Sequence, residues 1–183
     1  MLALASSVLW GTADFFGGVL SRKAAAAAVV LVTQAAALAA LVVVATLTGG
    51  WGWSLERFWW GFAAGIVGPI GLVAFYRGLA TGRMGVVSPI AATGVAVPVL
   101  WGLLQGDRPL ASQLVGLLLA VVGVVLVGGP DVRSDLEVRA SRGGWRPVAL
   151  ALVAALGFGG AFVCLDGGAS VGAEPDILML LTV

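Results

Sequence analysis

The chain has 183 residues, 60% of them apolar and 10% charged, with a mean hydropathy of +1.08. A soluble domain carries about a quarter of its residues as charges, so this composition excludes a water-solvated globule and puts the chain in lipid. Ten Lys/Arg against nine Asp/Glu leave no basic surface for nucleic acid, and one cysteine with no histidine excludes an intrachain disulfide and the usual zinc or haem ligand sets.

A helix needs about 20 apolar residues to cross ~30 Å of hydrocarbon, and charges mark where one crossing stops and the next begins. This predicts an all-α polytopic transmembrane helix bundle with spans at 2–21, 25–48, 57–79, 84–105, 110–128 and 147–165. The turns between the first five are short, so neighbouring helices are expected to run antiparallel.

The first span follows Met1 without a basic leader or a small-residue cleavage site, and it reads as a retained helix rather than a signal peptide. It holds Asp14, the one carboxylate well inside a span. A charge near a helix centre costs about 2.5–3.5 kcal/mol on insertion scales, so Asp14 must face something polar. Trp10 and Gly18 stand four residues to either side and share its face, with Gly11 and Gly17 flanking it. Two readings stay open. Asp14 is a site on a solute or proton pathway, or it is a structural acid bonded to a neighbouring helix or reaching toward the interface near Arg22.

Ser21-Arg22-Lys23 leads into the second span, where Gln34, beside Thr33, is expected to bond between helices rather than to bind substrate. Gly49-Gly50-Trp51-Gly52 precedes the third, in which Pro69, Leu72 and Tyr76 share a stripe. Pro69 removes one donor and crowds the carbonyl of Gly65, and Pro98 in the fourth span does the same to Gly94, so both helices should kink or loosen. Pro89, nearer a helix start, should cost little. Ser88, Ala92 and Thr93 give the fourth span a mildly polar patch. Gly61, Gly65 and Gly68, and Gly78 with Gly82, recur at distances suited to close helix contact. Trp51, Trp53, Trp59, Trp60 and Trp145 fall at span ends or in turns, where indole suits the headgroup level.

After the fifth span, residues 129–146 carry Asp131, Arg133, Asp135, Glu137, Arg139 and Arg142 and read as a polar linker. Residues 166–176 read as a polar turn, and 177–183 as an apolar run too short to cross. At an offset of 148 the sixth span lies on the first, with Leu4, Trp10, Gly11 and Ala13 over Leu152, Phe158, Gly159 and Ala161. A unit of five helices is odd, so a second copy enters the membrane upside down, a build common among secondary transporters. The expected domains are a five-helix unit at 1–128, the linker at 129–146, and at 147–183 the start of an inverted unit whose completion requires a ten-helix protein of about 300 residues.

The catalytic repertoire is thin. There is no histidine, no Gly-x-Ser-x-Gly elbow, no phosphate loop and no basic neighbour to activate Cys164. The chain is therefore expected to be no enzyme and to need no cofactor.

Several segments resemble the EamA-type branch of the drug/metabolite transporter (DMT) superfamily. They are Leu9-Trp10-Gly11-Thr12, Ala74-Phe75-Tyr76-Arg77-Gly78-Leu79-Ala80, Val87-Ser88-Pro89-Ile90, Gly106-Asp107-Arg108-Pro109, Gln113-Leu114-Val115-Gly116 and Gly123-Val124-Val125-Leu126. Gly106-Asp107 stands where that family usually has Gly-Glu. The resemblance implies two inverted five-helix units in a bacterial cytoplasmic (inner) membrane. Between them it implies a cavity lined partly by the first, third, fourth and sixth helices, through which small metabolites, amino acids or drugs are exported or exchanged. Expected partners are the bilayer, a small solute and protons, with the oligomeric state left open. The expected substrate pathway takes in Trp10, Gly11, Asp14, Gly18, Pro69, Tyr76, Ser88, Thr93 and Pro98. The alternative is a non-transporting scaffold or subunit of a membrane-embedded complex.

Orientation divides the two lines of argument. Eight Lys/Arg fall on one side (Arg22, Lys23, Arg77, Arg83, Arg133, Arg139, Arg142, Arg146) and two, Arg57 and Arg108, on the other, which places the N-terminus outside. The family resemblance implies a cytoplasmic N-terminus, and that is the topology expected here.

Overall fold

The computed structural model describes residues 2–49, 54–124, 126 and 145–170. Most of the expected linker, Trp51 and Trp53, and the expected short run at 177–183 lie outside the described residues. All the regular elements described are helical: α1 (Leu2–Leu20), α2 (Ala26–Thr48), α3 (Leu55–Thr81), α4 (Met84–Ala92), α5 (Ala96–Leu104), α6 (Ala111–Val124) and α7 (Arg146–Ser170). A 3₁₀ turn at Thr93–Val95 joins α4 to α5 as one span, Met84–Leu104. That span, α2, α3 and α7 are each long and apolar enough to cross a membrane, and Leu4–Leu20 and Ala111–Val124 are shorter apolar helices.

The helix ends follow local chemistry. Gly49 closes α2 at φ 69°, in the left-handed region that glycine enters without strain, and its N–H bonds Ala45 O. Ser54 precedes α3, and Glu56 in the first turn opposes the positive end of the helix dipole. Gln113 Oε1 accepts the Leu110 N–H at 2.7 Å, which supplies half of a capping box for α6.

The prolines act differently from one another. Pro98 has no N–H and its ring presses on Gly94, and the 3₁₀ turn falls on that residue, so the expected loosening of the fourth span is present. α3 runs through Pro69 as one continuous 27-residue helix, about 40 Å long at ~1.5 Å per residue. Pro89 sits in the second turn of α4, not at its start, so it removes a donor that would otherwise bond Gly85 O. α7 also continues past the expected limit at 165, and Asp166 belongs to its last turns instead of a polar loop. A carboxylate at the end of a long span reaches the headgroup region at little cost, so the charge does not have to end the helix.

α7 lies at the centre, packed on α3, α4, the 3₁₀ turn and α5. It pairs with α3 in antiparallel register from end to end. Gly167 meets the Trp60 ring, Gly157 meets Gly71, and Pro147 meets Gly82. A Cβ added at Gly157 would lie 2.5 Å from Gly71 Cα and 3.2 Å from Val67 O, so the two backbones touch with no side chain between them. Gly94, freed by the 3₁₀ turn, is pressed against the Ala155 carbonyl of α7. Ala26, Val29 and Val30 of α2 join Ala74, Phe75, Leu79, Val87, Ala91, Ala151 and Ala154 in the buried core. The outward faces carry large aliphatic side chains, Leu31 at 71%, Leu47 at 81% and Leu104 at 82% exposure, a surface that only hydrocarbon solvates without penalty.

Candidate functional site

Asp14 occupies the middle of α1 and is half-buried. α1 leans on α3, where Tyr76 lies almost fully buried at 4% exposure. The Tyr76 hydroxyl donates to the Asp14 carboxylate. Its ring reaches that position by lying across Gly17, where a Cβ would collide with the ring and hydroxyl carbon. Gly17 therefore admits the donor that answers the buried acid. Thr33 Oγ1 donates to Val30 O within its own helix at 3.0 Å.

Two cavities meet at Asp14. The first, about 470 Å³, is walled by Trp10, Gly11, Asp14 and Phe15 of α1, Phe75 and Leu79 of α3, Met84, Ser88 and Ala91 of α4, Gly94 of the 3₁₀ turn, and Phe158 and Phe162 of α7. Its walls thus come from the first, third, fourth and sixth spans. The second, about 650 Å³, lies between α1, α2 and α3 and is bordered by Trp10, Asp14, Gly17, Thr33, Gln34 and Tyr76. Both volumes suit a small organic molecule. Among the described residues, no Lys or Arg lines either cavity.

Aromatic rings dominate the first cavity. Trp10 of α1 stacks on Phe162 of α7 at 6.5 Å between centroids, and Phe75 of α3 meets Phe158 of α7 edge to face at 5.5 Å. The first pair joins α1 to α7 and the second joins α3 to α7.

Of the residues singled out in the sequence, the structure brings Trp10, Gly11, Asp14 and Ser88 to the first cavity and Trp10, Asp14 and Tyr76 to the second. The others stand elsewhere. Gly18 is packed under Leu79 and Met84, a contact between helices. Pro69 is half-buried on α3 and is not among the lining residues. The Thr93 side chain is exposed, its hydroxyl turned back to Ile90 O at 2.6 Å. Pro98 borders a separate space of about 350 Å³ near Asp107 and Arg108, and its part in the first cavity is indirect, through the placement of Gly94.

Sequence reasoning missed Phe15, Phe75, Phe158 and Phe162. A signal for two of them was present in the repeat offset of 148, which places Trp10 over Phe158 and Asp14 over Phe162. Both pairs face the same chamber, so corresponding faces of the first and sixth spans form two of its walls.

Residues 1–129 match the sequence model described as EamA-like transporter family. No curated protein and no solved structure matches the chain.

Proposed function

The chain belongs to the EamA-like transporter family, and from that membership we propose that it is a secondary transporter that exports or exchanges a small metabolite, amino acid or drug. The observation that carries this reading is the chamber of about 470 Å³ shared by the first, third, fourth and sixth spans, with one carboxylate, Asp14, on its wall among the described residues. The setting assigned is a bacterial cytoplasmic membrane, and the unit is the first of two inverted repeats around a midplane site. Support for the repeat comes from the parallel roles of Trp10 and Phe158, and the family match ending at residue 129 supports a unit boundary near 128.

Asp14 is the coupling group in this reading. It can take up and release a proton, and the Tyr76 hydroxyl donates to its charged form. An inert scaffold would gain nothing from a carboxylate exposed to a chamber, since such a group only adds insertion cost.

Thermal-shift screening of the purified protein in detergent against amino acids, small metabolites and drugs tests the proposal. A subset of solutes is expected to raise the melting temperature of the wild-type protein and to lose that effect in a folded Trp10→Ala variant. A full screen without a stabilising solute would count against transport and in favour of the scaffold alternative.

A further inference from the structure

We infer that the chamber at Asp14 selects hydrophobic organic cations carrying an aromatic group, an inference that rests on the transporter reading and narrows its substrate class. The first ground is charge balance. Among the described residues, Asp14 is the one carboxylate on the chamber wall, and no Lys or Arg lines either cavity it borders. Tyr76 satisfies part of its hydrogen-bonding capacity with one neutral donor, leaving acceptor sites on the carboxylate unmatched. A neutral solute would bury the carboxylate without compensating it, an anion would add repulsion, and a cation supplies the missing counter-charge.

The second ground is the rest of the wall. Trp10, Phe15, Phe75, Phe158 and Phe162 line the same chamber as the acid. Ring faces carry negative quadrupole density and attract weakly hydrated ammonium groups, most strongly where water is excluded. The same wall is wrong for a hard metal ion, which needs six or more oxygen ligands, and no group of three or more metal-ligating side chains occurs among the described residues. The stacked Trp10 and Phe162 pair and the edge-to-face Phe75 and Phe158 pair place aromatic rings of α1, α3 and α7 on this wall.

Three probes that share a benzyl group separate charge from shape: benzyltrimethylammonium, its neutral carbon counterpart neopentylbenzene, and the anion phenylmethanesulfonate. Binding to the full-length protein in detergent is read by quenching of tryptophan fluorescence and by thermal shift. The cation is expected to bind about tenfold or more tighter than the neutral probe, and the anion more weakly than either. Asp14→Asn is expected to abolish the cation's advantage while leaving the neutral probe's affinity within about twofold. The wild-type series alone decides the matter if that variant fails to fold. Equal or tighter binding of the neutral or anionic probe would overturn cation selectivity and leave a solute-binding chamber standing. Failure of all three to bind a folded wild-type protein, together with an empty solute screen, would overturn both readings.

Discussion

The Asp14–Tyr76 hydrogen bond exists because position 17 has no side chain. Gly17→Ala would drive a methyl group into the Tyr76 ring, and overpacking of this kind typically costs about 1–3 kcal/mol. The variant is expected to melt lower and to lose the hydroxyl contact with Asp14. Tyr76→Phe removes the donor while keeping the ring, and leaving the half-buried acid without its partner costs at most about 1–3 kcal/mol, the range for a fully buried group. Both variants are checked by thermal melts in detergent. Asp14→Asn bears on coupling, since it preserves shape and some hydrogen bonding but removes titration. In reconstituted vesicles this variant is expected to fold and insert, to transport at an altered rate, and to lose most of the wild-type pH dependence. Wild-type pH dependence in a well-folded Asp14→Asn protein would leave the residue as an interhelical polar contact, and Asp14→Leu would then chiefly lower expression or thermal stability.

Among the elements, α3 and α7 make the pairing on which the bundle depends, and glycine substitutions should separate its contact face from a free one by sign. Ala is favoured over Gly inside a helix by about 1 kcal/mol, so Gly116→Ala on α6, where a Cβ meets no described atom within 4 Å, is expected to leave the melting temperature unchanged or raise it. Gly157→Ala places its Cβ against the Gly71 backbone and should lower it, by about 1–3 kcal/mol of stability or more because backbone cannot rotate aside. Equal shifts would mean that the close approach is not what holds the pair. This contact could not be read from the sequence, because small residues recur at packing distance in most spans and nothing local marks Gly71 and Gly157 as partners. Span limits were legible for the opposite reason. Length and charge are local properties, and they located α1 to α5 to within about two residues. They fail at Asp166, where a charge does not end the helix. In the site, Asp14 and Trp10 stood out through the cost of burying a charge and the company of an aromatic ring. Phe75, Phe158 and Phe162 did not, since a phenylalanine facing a chamber and one facing lipid look alike along an apolar helix.

On the scale of the whole molecule, the two orientation arguments give different sides for residues 129–146. Arg22 bears on the charge count, because its Nη2 donates to Leu79 O at 3.4 Å and so serves the end of α3 as well as topology. With Cys164 the one native cysteine, Cys164→Ser gives a clean background for cysteines introduced across 129–146. The family topology expects labelling from the outer side, and labelling from the cytoplasm would establish the charge count as the better guide. The central position of α7 has a further consequence, which concerns time. Gly157 follows Gly71 by about 86 residues, and at about 5–20 residues per second the ribosome needs roughly 4–17 s to deliver it. Through that interval α3 is already made but lacks its partner, and the groove over Gly71 is open to whatever neighbour the nascent bilayer offers. Slowing elongation between the two glycines would lengthen this exposure without changing a single contact of the finished protein.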